Sequence, residues 1–100
     1  MFSEFLVSRP YKEDIYTKYG TKETYRVRTF GTDIEDRELI WHRDKESRRV
    51  SVLNGTGWQL QLDDKLPETL EIGKKYEIPR LTYHRVLKGE GNLIIRIENI

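Results

Sequence analysis

From residue 38 onward apolar and polar residues alternate, and Gly, Asn, Asp and Pro interrupt the alternation roughly every eight to twelve residues, the pattern of an antiparallel sandwich or barrel. Residues 38–44 put Ile40, His42 and Asp44 on one face and Leu39, Trp41 and Arg43 on the other, which predicts a strand. Residues 49–54 predict a second, with Val50 and Val52 alternating against Ser51 and Leu53, and Asn54, Gly55, Thr56 and Gly57 read as the turn after it. Trp58, Leu60 and Leu62 then share a face opposite Gln59, Gln61 and Asp63, and a short piece follows at residues 70–72. Beyond a turn at Gly73, Lys74 and Lys75 come strands at 76–78, stopped by Pro79, and at 82–87. Gly89, Glu90, Gly91 and Asn92 separate the latter from a closing strand at 93–98. The pattern predicts roughly seven strands and an all-β protein.

The first 37 residues are less regular. Residues 24–30 alternate Tyr25 and Val27 against Arg26 and Arg28 and add a strand. Tyr11, Ile15 and Tyr19 are spaced by four, which suits an amphipathic helix of about two turns; Pro10 and Gly20 bound the stretch so closely that an irregular edge segment fits as well. No linker, repeat or charged tail divides the chain, so residues 1–100 read as one domain, an N-terminal segment (1–37) leading into a barrel core (38–98).

Composition narrows the function classes. With 100 residues, 36% hydrophobic, the 2 Trp, 6 Tyr and 3 Phe must supply much of the core. Trp41 and Trp58 are accordingly read as core or dimer-contact residues. The 18 Lys and Arg balance 17 Asp and Glu to a net charge of +1, without the basic excess of a nucleic-acid or membrane-surface protein, and Arg26, Arg28, Arg43 and Arg85 read as an outward polar face. The absence of Cys excludes a disulfide framework, a thiolate zinc site and a cysteine nucleophile. Apolar runs as short as Phe5, Leu6 and Val7 fit a soluble, cytoplasmic protein. Small barrels commonly cover an open edge by pairing, which predicts a homodimer.

Chemistry concentrates at His42, Asp44 and His84. Side chains two apart on a strand share a face about 6–7 Å apart, so the His42 imidazole and the Asp44 carboxylate can converge on one ion, and His84 completes two nitrogens and one oxygen if the sheet folds over. That ligand set suits non-haem Fe(II) and also accepts Zn, Mn or Ni. The plainer alternative for His42 with Asp44 is a surface hydrogen bond, and for His84 a satisfied polar group on a strand. Glu46, in a turn, is a possible substitute ligand. Gln59, Gln61 and Tyr83 are candidate ligand-binding residues, with a solvated face as the alternative.

Residues 36–98 resemble the cupin superfamily of small double-stranded β-helix barrels. His42 fits the first His of the first cupin motif, Asp44 replaces the second His, Arg48 stands at the Glu position and Gly55 where the Gly belongs. Gly73, Pro79 and His84 match the second motif, Gly, five residues, Pro, four residues, His. Three positions depart from the motifs: Asp36 stands for the opening Gly, Leu81 for a Gly and Lys88 for the terminal Asn. Arg9, Pro10 and Tyr11 are similar to the Arg-Pro-Trp-Gly opening of phosphomannose-isomerase-like cupins. The resemblance implies a cupin barrel with a divalent metal at His42, Asp44 and His84.

Arg48 breaks the four-ligand site, because a guanidinium cannot ligate a cation. It either pairs with Asp44 or anchors a small anionic ligand, carboxylate or phosphate, in the barrel mouth. Three functions follow as expectations: metal-dependent chemistry of dioxygenase type on a small anionic ligand; a metal-free sugar or sugar-phosphate isomerase or epimerase with Tyr83 and His84 moving protons; or a non-catalytic ligand-binding module.

Overall fold

A computed structural model describes residues 10–100; the Arg9 part of the opening motif lies outside them. Among the described residues eight strands form two antiparallel sheets. The larger has the order β1 (Lys12–Thr17), β2 (Thr24–Phe30), β8 (Glu90–Asn99), β3 (Arg48–Thr56), β6 (Lys75–Ile78), and the smaller β5 (Glu68–Thr69), β4 (Gln59–Leu62), β7 (His84–Leu87). β8 is the spine, pairing with β2 on one side and β3 on the other.

Alternation explains which faces meet. Val50 and Val52 on β3, Leu93, Ile95 and Ile97 on β8, Phe30 on β2 and Tyr76 and Ile78 on β6 are buried on the inner face of the large sheet. Trp58, Leu60 and Leu70 meet them from the small-sheet side, and Trp58 is fully enclosed. The buried polar tips find partners: Trp58 Nε1 donates to the Glu90 carbonyl at 3.3 Å, and the Tyr76 hydroxyl donates to the Thr69 carbonyl while accepting from the Glu71 amide, both at 2.9 Å.

Two segments depart from the sequence pattern. Residues 12–17 form neither helix nor irregular edge but the regular edge strand β1, hairpinned to β2 with Glu13 opposite Arg28, and Tyr11 and Tyr19 lie just outside it. A spacing of four returns to one face of a strand as well as of a helix, so Tyr11, Ile15 and Tyr19 fitted both periods. Residues 38–44 are not a strand: a 3₁₀ turn, Asp36–Glu38, leads into extended chain that joins the small sheet by one bridge, His42 to His84. The short piece expected at 70–72 lies earlier, as β5. β3 runs through Asn54 to Thr56, with irregular register against β8, so the reversal falls at Gly57, where φ is +72°.

Gly89 is the most closely approached of the described glycines. A Cβ there would collide with the Thr56 carbonyl and the Trp58 amide, so only a residue without a side chain lets the β7–β8 connection cross the end of β3. Lys88 beside it, at the position where the resembled motif has Asn, donates from Nζ to the carbonyls of Thr32 at 2.8 Å and Ile34 at 2.7 Å. It pins the connection after β2 against the barrel end. Among the described residues no helix is long and apolar enough to cross a membrane.

Candidate functional site

The bridge between His42 and His84 builds the site. Their backbones exchange both hydrogen bonds, His42 N to His84 O at 3.0 Å and His84 N to His42 O at 2.8 Å, which sets the rings side by side with centroids 4.2 Å apart. Asp44 follows two residues on, held by the Leu81 amide donating to its carbonyl at 2.7 Å. One ligand atom from each of His42, Asp44 and His84 lies within 4.8 Å of the others. Glu46 is not part of this group.

Hydrogen bonding fixes which ring atoms are available. His42 Nδ1 is 3.0 Å from the Ile40 carbonyl and His84 Nδ1 is 2.8 Å from the Thr82 carbonyl. A carbonyl only accepts, so each Nδ1 carries its hydrogen, and in a neutral ring each Nε2 keeps its lone pair. Burial pushes the His84 pKa below its ordinary 6.5, and the neighbouring His42 and Arg48 add to this against the opposing pull of the Thr82 carbonyl and Asp44. Neutral His84 therefore turns a lone pair toward Asp44 Oδ2 at 3.4 Å. An imidazole lone pair and a carboxylate oxygen at that distance can share a cation, and a backbone-oriented imidazole with a free Nε2 is the usual metal-ligand arrangement. The donor set thus fits a divalent ion, with two nitrogens and one oxygen.

Arg48 Nη2 forms an ion pair with Asp44 Oδ1 at 3.7 Å, too long for a hydrogen bond, and its buried Nε has no acceptor among the described residues. The guanidinium sits beside the cluster with unused donors. A cavity of about 540 Å³ opens from this point, with Leu60, Leu70, Ile78, Val86, Ile95 and Ile97 among its walls.

The remaining sequence candidates separate by strand face. Leu60 and His84 point inward, so Gln59, Gln61 and Tyr83 do not line the cavity. Gln61 instead donates to the Lys65 carbonyl and accepts from Arg85 Nε, each at 3.0 Å, and Tyr83 is half-exposed beneath the Arg43 guanidinium. Trp41 is also part-exposed and carries Arg85 over its ring at 4.7 Å. Arg28 departs from the outward reading: it lines the cavity, stacked on Tyr11 at 4.3 Å and ion-paired to Glu13. Its signal in the sequence was Phe30, two residues on, whose burial makes the even-numbered face of β2 the inner one.

No family model matches the sequence, and no curated protein is similar to it. Solved structures do match. A chain from crystal structures of the DMSP lyases RdDddP and RnDddQII superposes with a TM-score of 0.70 at 15% identity over 97% of this chain and 52% of that one. An RmlC-like cupin family protein with a double-stranded β-helix fold from Methanocaldococcus jannaschii gives 0.65 at 12% identity over 88% of this chain and 79% of that one. The fold is that of the cupins. Fe(II)-HppE, solved with the alternative substrate (S)-1-HPP, matches with 0.60 at 14% identity, covering 94% of this chain and 59% of that one. This cupin-fold chain thus spans about half the length of the first of these structures, and at such identities the likeness concerns the fold alone.

Proposed function

We propose that this cupin-fold protein binds a divalent metal ion through His42, Asp44 and His84 and acts with it on a small anionic ligand, in chemistry of the dioxygenase type. The observation that carries the reading is that one ligand atom from each of His42, Asp44 and His84 lies within 4.8 Å of the others while both Nδ1 atoms are engaged by the Ile40 and Thr82 carbonyls. A redox-active ion such as Fe(II) bound by two imidazoles and one carboxylate supplies oxygen chemistry at its remaining positions, and Mn, Ni or Zn fit the same donors. The Fe(II) named for the fold relative HppE supports iron.

The chain's own residues act around that ion. His84, kept neutral by burial, is ready to ligate without first losing a proton. Arg48 offers its unused donors to a carboxylate or phosphate and neutralises its charge. The apolar walls keep water away from the reacting atoms. The metal-free isomerase reading is less favoured, because Tyr83, its proposed proton-transfer partner for His84, does not line the cavity.

Elemental analysis of protein purified without a metal-affinity column, beside a His42→Ala control of equal circular dichroism, tests the reading. Near-unit metal in the parent and little in the control supports it; no metal in either, after reconstitution with Fe(II), Mn, Ni and Zn, overturns it. The proposal extends to a homodimer, supported by the open edge of β1, where Ile15 and Tyr16 are exposed. Sedimentation equilibrium reads the mass directly.

A further inference from the structure

Most of the cavity wall is of one chemical kind. Phe30, Leu60, Leu70, Val86, Ile95 and Ile97 present only carbon to it. A hydroxyl-rich ligand placed against them would give up water with nothing in exchange, at roughly tenfold or more in affinity for each unpaired hydroxyl. A hydrocarbon gains by the same move. The volume, about 540 Å³, is far larger than oxygen or water requires and lies in the range of small organic ligands.

Charge is unevenly used around this space. Three arginines line it, Arg28, Arg37 and Arg48. Arg28 reaches Glu13 Oε2 at 2.5 Å, and Arg37 reaches Glu35 Oε2 at 2.6 Å. Arg48 alone of the three has its carboxylate contact at 3.7 Å and a buried Nε without an acceptor, and it stands next to His84 and Asp44 where the metal donors converge. One end of an apolar well therefore carries one cation with spare, planar, bidentate donor capacity.

We propose that the ligand is a monocarboxylate with an apolar body, an alkyl or aryl acid, whose carboxylate is received by Arg48 beside the metal donors and whose hydrocarbon fills the well. The inference rests on the proposed metal centre only for the ion next to the carboxylate; the apolar body and the Arg48 contact follow from the walls and the unused donors.

Isothermal titration with acetate, butyrate, hexanoate and glucuronate, on metal-free and Mn(II)-loaded protein, tests it. Affinity is expected to rise roughly fourfold per added methylene from acetate to hexanoate, and glucuronate to bind at least tenfold more weakly than hexanoate. Arg48→Gln should weaken all three alkyl acids by one similar factor of about ten or more and leave the chain-length slope unchanged. Should that variant fail to fold, 1-hexanol on the parent replaces it: the alcohol keeps the body and loses the carboxylate, and should bind at least tenfold more weakly than hexanoate. A flat chain-length series, glucuronate matching hexanoate, or hexanol matching hexanoate overturns the proposal. Failure of the protein to take up Mn(II) would sink the metal reading instead, and the metal-free series would still decide this one.

Discussion

His84 and His42 share a backbone bridge but not an environment. His84 is buried and His42 exposed, and burial sets the sign of a pH effect. The folded-state pKa of His84 lies below 6.5, so below that pH the unfolded chain takes up a proton that the fold resists. Stability of the metal-free protein should be level above pH 6.5 and decline as the pH falls below it, and the decline should shrink in His84→Gln; urea midpoints between pH 5 and 8 check this. Asp44 supplies the one carboxylate of the cluster, so Asp44→Asn should lower metal affinity by at least tenfold, read by competition with a chelating dye, while leaving the circular dichroism unchanged. At Gly89 the constraint is steric: Gly89→Ala drives a methyl into the Thr56 and Trp58 backbone and should cost about 2 kcal/mol or more in denaturant unfolding.

At the scale of elements, β1 and β8 are opposites. β1 pairs on one side only and its residues are nearly all exposed, whereas β8 is paired on both sides and buries Leu93, Ile95 and Ile97. Backbone amides of β1 should therefore exchange with deuterium well before those of β8, by about an order of magnitude or more. The outer face of the hairpin is tied down by Tyr16 stacked on Tyr25, by Arg96 3.8 Å over the Tyr25 ring and by Lys18 bonded to Glu98 at 2.6 Å. The alternation at 38–44 was legible as a face but not as a strand. Ile40, His42 and Asp44 do line the cavity together, yet a single bridge is all the sheet pairing that segment makes, because pairing needs a neighbour that the pattern of one segment does not contain. Lys88 works between elements. Lys88→Met removes its bonds to the Thr32 and Ile34 carbonyls and should lower stability by about 1–2 kcal/mol, with faster exchange confined to residues 31–35.

At the scale of the whole molecule, two sheets enclose both a packed core and a cavity, and the same inward faces line each. Trp58 anchors the packed part, fully enclosed beside Phe30 at 6.0 Å between ring centroids. Trp58→Ala should remove about 3–5 kcal/mol, much of the stability of a domain this size. The sequence marked β3, β4, β6, β7 and β8, because each of these buries alternate residues and the period of two cannot be hidden, but it misplaced β5, which is exposed at both residues. It also singled out His42, Asp44, His84 and Arg48, because few residue types can ligate a metal or hold an anion. It left β1 ambiguous, since a spacing of four belongs to helix and strand alike. It took the packing of the two sheets to decide that Arg28 faces the cavity while Gln59, Gln61 and Tyr83 face away, and that Arg48 pairs with Asp44 by charge at 3.7 Å without a hydrogen bond. Alternation assigns a side chain to one of two faces, but which face is the inner one depends on what packs against it, and that is a property of strands far apart in the chain.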